Sequence, residues 1–296
     1  MSHPDVQGGD FPSIPSPVFR TEAGTPYLTR PGIHLIARPQ IAPDALSAYL
    51  HGFNPEAHLT DALTDPVVLP PGAALCKTAG QLCYMSFGPK RTPNAQAARY
   101  FQNILESGHG SVLEHASYSF LMYGVSRSVT HELVRHRAGF AISQVSQRYV
   151  SGQVLRFVER PEFQDGGRLH QQFVERIDQI ARAYTALQDE LSRLQQAGEG
   201  RLSAQRATER RKRVQQAARA LLPNETEAPI VVTANVRAWR HFIEARASQH
   251  ADIEIRILAW YVLRCLRQVE PLLFGDYDET PLPDGTVAVS TATPKV

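Results

Sequence analysis

Lysine is scarce in this chain of 296 residues. Only four of the 31 basic residues are lysines (Lys77, Lys90, Lys212 and Lys295), which leaves 27 arginines. With 29 acidic residues the formal net charge is +2, and this balance argues against a protein that coats nucleic acid through a large positive surplus. A GC-rich genome accounts for most of the arginine excess. Because the guanidinium group is a rigid fork that pairs with carboxylates and phosphates, some of these arginines are candidates for binding an anionic ligand.

Cysteine is also rare. Cys76, Cys83 and Cys265 cannot all pair and form no CxxC motif, which excludes a disulfide framework or a zinc ribbon and favours a reducing compartment. We interpret all three as small buried apolar residues. The N-terminus lacks the charged-then-apolar pattern of a signal peptide, and no apolar run approaches the roughly 18 residues of a membrane span. The sequence therefore predicts a soluble, cytoplasmic protein without a membrane partner.

Repeats, a glycine-rich P-loop and a GxGxxG turn after a strand are all absent, so the common nucleotide folds are not indicated. The regular βαβ alternation of a doubly wound sheet is missing as well, which predicts an α+β fold with a mixed sheet flanked by helices. Residues 1–32 are rich in Pro, Gly and Ser, and we interpret them as a flexible or surface-draped arm. Residues 33–276 are then predicted to form one domain, and residues 277–296 a C-terminal tail with a turn at Asp284-Gly285.

Hydrophobic periodicity places the elements within this domain. Residues 168–197 give the clearest helix, with an apolar seam suited to a core or subunit contact. We predict strands at 33–38, 117–123 and 229–235, and a loop at 138–147. Further helices are predicted at 43–53, 73–86, 92–107, 126–135, 203–222, 237–247 and 251–269.

The densest chemistry lies in residues 135–149. Arg135 and Arg137 flank His136, and a stretch with two Ser, two Gln and Arg148 follows. Arginine forks, hydroxyls and exposed loop amides are the groups that bind phosphate. A solvated helix end with a basic last turn, favoured by the helix dipole, explains the same composition, and the residue types alone leave both interpretations open.

Two further clusters are less specific. His109, Glu114 and His115 resemble metal ligands, but their spacing fits neither a helix face nor a strand face and implies no third ligand, so we expect a hydrogen-bonding loop and no metal site. The basic run 210–213 is typical of a solvated face. Lys212 and Arg219, however, lie two helical turns apart and share a face that is suited to meeting an anion.

The segment after the strand at 229–235 combines a strand end with a helix start. Asn235 and Arg237 lie where backbone N–H groups are available to a ligand. Trp239, Phe242 and Ile243 are predicted core residues.

Taken together, these clusters resemble one family, the flavin-dependent thymidylate synthases. The resemblance covers residues 74–276 and consists of five blocks in the family's order: GHGSVLEHAS, THELVRHR, SQVSQRYV, RRKRVQQAARALLPNETE and IVVTANVRAWRHFIEARASQHADIEIR. One departure occurs. The family spaces Arg-His-Arg and the following Ser by seven residues, whereas eight separate Arg137 from Ser146 here, and we assign the extra residue to 138–142, where Gly139 accommodates a bulge.

The resemblance implies reductive methylation of dUMP to dTMP. Methylenetetrahydrofolate would supply the carbon and FAD, reduced by NADPH, the hydride, in a homotetramer whose active sites lie between subunits. Arg246 is the implied catalytic cation at the uracil ring, where a preorganised charge stabilises an anionic ring. The implied FAD ligands are Ser111, Glu114, Arg135, His136, Arg137, Gln144, Asn235, Arg237 and His241. The implied dUMP ligands are Glu132, Arg135, Gln144, Ser146, Gln147, Arg148, Arg219 and Arg246, with Lys212 as a further candidate.

Two alternatives remain at this point. One is an RNA-binding module that uses the basic helix 201–219 and the 135–137 segment, although the charge balance predicts no stable nucleic-acid partner. The other is a catalytically impaired homologue that binds flavin or nucleotide without turnover, because of the shifted serine. A yellow, FAD-stabilised protein would exclude the first, and a turnover assay would decide the second.

Overall fold

The computed structural model describes residues 4–149, 155–198, 201–204 and 206–293. The strands are β1 (Ser13–Ile14), β2 (Phe19–Arg20), β3 (Pro26–Leu28), β4 (Gly32–Ala37), β5 (Ser117–Tyr123), β6 (Phe140–Gln144), β7 (Phe157–Val158), β8 (Ile230–Asn235), β9 (Asp278–Pro281) and β10 (Val287–Ser290). The helices are α1 (Pro43–Leu50), α2 (Pro71–Tyr84), α3 (Ala97–Glu106), α4 (Arg127–Leu133), α5 (Arg168–Gln196), α6 (Ala207–Ala218), α7 (Val236–Arg246), α8 (Ile253–Val269) and α9 (Pro271–Phe274). Short 3₁₀ turns occur at Pro55–Ala57, Leu59–Thr64, Asn94–Gln96, Gly110–Glu114, Pro161–Phe163 and Arg219–Leu221.

A five-stranded sheet in the order β1-β4-β5-β8-β6 forms the centre of the fold. Every neighbouring pair in it is antiparallel. Alternate residues of β5 and β8 are buried, as the period of two requires for a sheet with one face against the core. Helix α7 packs there through Trp239, whose indole N–H donates to the carbonyl of Tyr118 at 3.1 Å and whose ring meets Phe120 edge-on.

Helix α8 is the most buried helix of the core. Asp252 caps its start by accepting from the N–H of Glu254 at 3.0 Å, and most of its residues, from Ile255 to Leu266, are buried. A helix that is apolar nearly all round has no solvent face to offer and has to lie inside the domain. Among the described residues, no helix is both long enough and apolar enough to cross a membrane.

The predicted α+β class, with sheets flanked by helices, is confirmed. Within the described residues, however, parallel pairing occurs only in a separate small sheet, β2-β3-β7, where β3 and β7 run in the same direction. The strands predicted at 33–38, 117–123 and 229–235 correspond to β4, β5 and β8, and each predicted helix is present with shifted ends. Three parts of the predicted elements lie outside the described residues: 199–200, Gln205 of the basic helix and Val150 of the third motif block.

Residues 1–32 are predicted to be a flexible or surface-draped arm, and the described part, 4–32, contains short strands. That part contributes β1, β2 and β3 and buries Ile14 and Leu28 completely. Proline and glycine obscured the pattern because these strands are only two or three residues long. The C-terminal segment likewise folds back as a β9–β10 hairpin, whose Val287 and Val289 join the core.

The loop predicted at 138–147 is also wrong. Residues Phe140–Gln144 form β6, which pairs with β8 in unbroken register from Phe140 opposite Ala234 to Gln144 opposite Ile230. Polar residues in an edge strand do not show the apolar pattern on which the prediction relied. Gly139, at φ 76°, turns the chain immediately before β6, so the irregularity lies ahead of the strand and not within it.

Cysteine burial is as predicted at two positions only. Cys76 and Cys265 are buried, but Cys83 is exposed because it lies in the last turn of α2. There the helix extends beyond the core, and its neighbours Leu82 and Tyr84 are exposed as well.

Candidate active site

Helix α4 leads to the first residues of the site, and the start of this helix is held in place by α8. Ser126 caps the helix by accepting from the N–H of Val129 at 3.3 Å. The backbone N–H and the hydroxyl of Ser126 both donate to the carboxylate of Glu254, at 2.8 and 2.7 Å. Burial raises the pKa of Glu254 to about 7, although these two hydrogen bonds oppose the rise. The start of α4 is therefore fixed to the start of α8.

Arg246, at the end of α7, is held between two groups of α4 and the residues just after it. Its Nη1 donates to Oε2 of Glu132 at 2.7 Å, and its Nε donates to Nε2 of His136 at 2.9 Å. The side chain of Arg246 is 20% exposed and that of Glu132 31%. One edge of the guanidinium is thus fixed in position, while the group stays within reach of a ligand.

The proton position on His136 follows from this contact. An arginine Nε always carries hydrogen, so Nε2 of His136 has to accept and the ring proton lies on Nδ1. Burial first, and then the neighbouring Arg246, His241 and Arg135, together lower the pKa of His136 to about 4. The imidazole is therefore neutral at physiological pH, with one tautomer selected by its neighbour.

A cavity of about 390 Å³ opens beside this group, and we call it the arginine pocket. It is lined by Arg135, His136, Arg137, Ala138, Phe140, His241 and Arg246. The side chains of Arg135 and Arg137 are exposed, and no carboxylate of a described residue pairs with either. Two unpaired guanidinium groups beside a neutral imidazole are suited to an anionic or acceptor-rich ligand.

The next group of predicted ligands lies where β8 passes into α7. Asn235 caps α7, with its Oδ1 accepting from the N–H of Ala238 at 2.9 Å. A Cβ at Gly139 would lie 3.1 Å from the Asn235 amide, so the turn after the Arg-His-Arg segment contacts this cap. Arg237 and Glu114 form an ion pair at 2.6 Å, both half-exposed. Ser111 lies exposed in the same 3₁₀ turn as Glu114.

Gln144, the last residue of β6, is oriented by Thr130 of α4. The Thr130 hydroxyl donates to the carbonyl of Arg127 at 3.0 Å, so its oxygen accepts from Nε2 of Gln144 at 2.8 Å. The amide nitrogen of Gln144 therefore faces Thr130 and donates one of its hydrogens to it. The Oε1 of Gln144 is thereby fixed as an acceptor that can take an N–H or an O–H of a ligand, while the second N–H of the amide stays available as a donor.

Ser146, Gln147 and Arg148 follow in a turn after β6, and all three are partly buried. The Arg148 N–H donates to the Ser146 hydroxyl at 3.4 Å. Nε2 of Gln147 and Nε of Arg148 are buried without a hydrogen-bond partner in the described part of the chain. Lys212 of α6 reaches this turn, with its Nζ 4.9 Å from the centre of the Tyr149 ring, and it lowers the pKa of that phenol.

Arg127 and Arg219 form a second pair of cations. Burial lowers the pKa of Arg127, and the nearby Arg219 guanidinium lowers it further. Neither is paired with a carboxylate in the described ranges. Two like charges placed together without an acid create a field that an anion relieves.

The predicted residues thus form two clusters at opposite ends of β6 within one chain. Arg135, Arg137 and Arg246 lie at its start, where the rings of His136 and Phe140 are 5.8 Å apart. The turn 144–149 and Arg219 lie at its far end, about 13 Å away by the strand rise of four residues. Sequence reasoning had assigned both ends to the same ligands. Within the described residues no group of three or more His, Cys, Asp or Glu side chains is placed to hold a metal ion.

Sequence reasoning missed Arg127, Thr130 and Glu254. Arg127 precedes the recognised block, and nothing in its residue type separates it from the other 26 arginines. Thr130 and Glu254 act through contacts with residues 14 and 128 positions away. One signal was available in the sequence. Arg127 and Thr130 lie one helical turn apart, on the predicted helix that leads to the Arg-His-Arg segment.

The fold and the site define an α+β protein with an arginine-rich site suited to an anionic ligand. Comparison with known proteins makes this specific. A family model described as "Thymidylate synthase complementing protein" matches residues 68–272. The match contains both the 135–149 segment and the basic run 210–213, which the RNA-binding alternative would have used.

Curated relatives agree. The flavin-dependent thymidylate synthase of Mycobacterium leprae is 47% identical over 215 residues, which cover 73% of this chain and 84% of the relative. Those of Mycolicibacterium vanbaalenii and Mycolicibacterium gilvum are 50% and 49% identical over 227 residues, which cover 76% of this chain and 88% of each relative. The chain belongs to the flavin-dependent thymidylate synthase family.

Proposed function

We propose that this protein converts dUMP to dTMP by reductive methylation, with methylenetetrahydrofolate as the carbon donor and NADPH as the reductant of its FAD. Besides family membership, one observation carries the proposal. Arg246, at the end of α7, is fixed between Glu132 and His136, at the rim of a pocket with two arginines that have no carboxylate partner among the described residues. Such a fixed cation is suited to an electron-rich uracil ring.

The arginine pocket fits FAD. Arg135 and Arg137 offer guanidinium groups without a protein partner, and a diphosphate is the complementary group. We assign Arg135, His136, Arg137 and His241 to FAD, with Asn235, Arg237, Glu114 and Ser111 along the adjoining edge. FAD, when bound, supplies the hydride of the reaction. The protein supplies orientation and electrostatics.

The far end of β6 is assigned to dUMP. Arg219, Arg127 and Arg148 provide charge for the 5′-phosphate, and Ser146 adds a hydroxyl. The outward Oε1 of Gln144 accepts from an N–H such as N3–H of uracil, and Gln147 belongs to the same turn. Arg246 faces the ring edge, where its positive charge stabilises electron density pushed towards C5. No cysteine lies among these residues, so a thiolate adduct has no role in the proposal.

We further propose that the enzyme is a homotetramer with each active site built by more than one subunit. The separation of about 13 Å between the two clusters supports this arrangement, because dUMP held by its phosphate at the far end of one β6 would then meet the Arg246 of another subunit at its ring. The apolar seam of α5 supports it as well. Phe173, Ile177 and Tyr184 are buried, whereas Leu194, further along the seam, is 38% exposed and open to a partner.

The experiment is a turnover assay on purified, FAD-loaded protein with dUMP, methylenetetrahydrofolate and NADPH, together with the visible flavin spectrum. We expect dTMP formation and a flavin band that dUMP perturbs. Arg246→Ala should abolish dTMP formation and leave FAD bound. Arg38→Ala is the matched control. The Arg38 side chain is also about one-fifth exposed (21%) and also forms an ion pair, with Asp10 at 2.8 Å, but it does not belong to the site. Bound FAD without any dTMP would establish the impaired homologue, and full activity of Arg246→Ala would refute the role of Arg246.

A further inference from the structure

A second cavity, of about 450 Å³, lies apart from the site described above. Its floor is one face of α8, where Ile253, Ile257, Trp260 and Tyr261 recur at helical spacing. The N-terminal segment, the 3₁₀ turn at Pro161–Phe163 and the β9–β10 turn form the walls. A volume of this size, with an apolar and aromatic floor and polar groups in its walls, is typical of small-molecule sites.

Two hydrogen-bond donors in this cavity have no matching acceptor. Nε of Arg30 is buried without a partner, and its Nη2 lies 3.4 Å from the Pro15 carbonyl. Tyr261 is only 3% exposed, yet its hydroxyl bonds to no described residue. Burial raises the pKa of Tyr261, while Arg30 and Arg264 oppose the rise, which places both guanidinium groups near the hydroxyl.

The acidic residues of the cavity are already neutralised. Glu162 pairs with Arg160 at 2.8 Å, and Asp284 pairs with Arg256 at 2.8 Å. Arg30, in contrast, has no carboxylate partner in the part of the chain that the structure describes. Among the described residues that line the cavity, Arg30 is thus the charged group without an oppositely charged partner. It lies half-buried beside an apolar floor, where a ligand that supplies an anionic group would be favoured.

We propose that this cavity binds a small organic anion with a planar apolar body. Its carboxylate or phosphate is held by Arg30 and by the hydroxyl of Tyr261, and its body lies against Ile257 and Trp260. The site is independent of dUMP and FAD, because none of its residues belongs to the arginine pocket or to the turn after β6.

Isothermal titration calorimetry tests this on the full chain, loaded with FAD and saturated with dUMP so that the anion sites of the enzyme are filled. The probes are benzoate, phenyl phosphate, the neutral isostere benzamide, and acetate, which lacks the ring. We expect one benzoate or phenyl phosphate per chain, and at least about tenfold weaker binding of benzamide and acetate, since hydrogen bonds to a charged group carry that much affinity. The tighter of the two aromatic anions identifies the head group.

Two variants locate the binding. Arg30→Gln should weaken benzoate at least about tenfold and Tyr261→Phe about threefold to tenfold, with dTMP formation unchanged in both. Tyr261→Phe removes a single oxygen and keeps the test valid if Arg30→Gln does not fold. Absence of binding by both aromatic anions overturns the proposal. Equal binding of benzoate and benzamide, or unchanged benzoate affinity in Tyr261→Phe, overturns it too.

Discussion

Replacing Thr130 by valine tests how the Gln144 amide is oriented. Valine has nearly the shape of threonine, so the substitution removes the hydroxyl from a fully buried position without opening a cavity. The contact of 2.8 Å with Gln144 and that of 3.0 Å with the Arg127 carbonyl are both lost. Gln144 is partly exposed and can turn to water, so the free energy of unfolding should fall by about 1 kcal/mol.

The functional effect follows from the freed amide. Without Thr130, the Gln144 side chain presents nitrogen or oxygen to the ligand in turn, and part of its population no longer accepts a hydrogen bond from dUMP. Losing one neutral hydrogen bond of about 0.5–1.5 kcal/mol predicts an increase in KM for dUMP of about twofold to tenfold. The turnover number should change less, because Thr130 touches neither Arg246 nor the arginine pocket.

Steady-state kinetics of dTMP formation and urea unfolding measure these effects side by side. Thr130→Ser keeps the hydroxyl and is the matched control, in which KM for dUMP should return to the parent value despite the missing methyl group. An unchanged KM in Thr130→Val, or an equal rise in Thr130→Ser, would refute the reasoning, because the effect would then not depend on the hydroxyl.

Three other changes test separate parts of the structure. Arg127→Gln should weaken dUMP about tenfold or more but leave deoxyuridine unaffected, since Arg127 and Arg219 are assigned to the phosphate; equal losses for both ligands would contradict this. Glu254 has a folded-state pKa raised to about 7, so its stabilising effect is complete below about pH 4.5 and lost as the pH rises through 7. Relative to Glu254→Gln, the parent should lose up to about 3 kcal/mol of unfolding free energy between pH 4.5 and 8, and parallel pH profiles in urea titrations would argue against it. Gly139→Ala should cost about 1–2 kcal/mol, because φ is 76° and the new Cβ would lie 2.8 Å from Ala238 Cβ; an unchanged melting temperature would contradict this.

Local patterns in the sequence identified most of the regular elements. β5 was predicted with its observed ends, because the residues of Ser117–Tyr123 alternate between aromatic and small side chains. Helix α5 was predicted to within one residue, since its apolar seam runs over 29 residues. β6 and the N-terminal strands were missed for local reasons. β6 is an edge strand with polar residues, and β1, β2 and β3 are only two or three residues long, so none of them shows a clear apolar alternation.

For the candidate site too, the sequence predicted some features and not others. Ordered motif blocks were enough to identify the family and to name Arg135, Arg246 and Arg148 as candidates. They gave no indication that Glu132 and His136 would hold one edge of Arg246 or that His136 would be neutral. Those properties depend on burial and on neighbours from other elements.

By itself, the sequence determined the chemistry available to this protein: many arginines, no cysteine at the reacting centre, and the motif blocks of its family. Side-chain type and spacing are written in the chain, and they are enough to identify which groups can bind phosphate or flavin. Only the tertiary structure decided which of those groups are paired and which are free. Arg237 and Arg246 have carboxylate partners, whereas Arg135, Arg137 and Arg30 have none in the described part of the chain. The physical reason is that charge neutralisation and desolvation depend on distances between residues that lie up to 260 positions apart in this chain, and no local pattern encodes them.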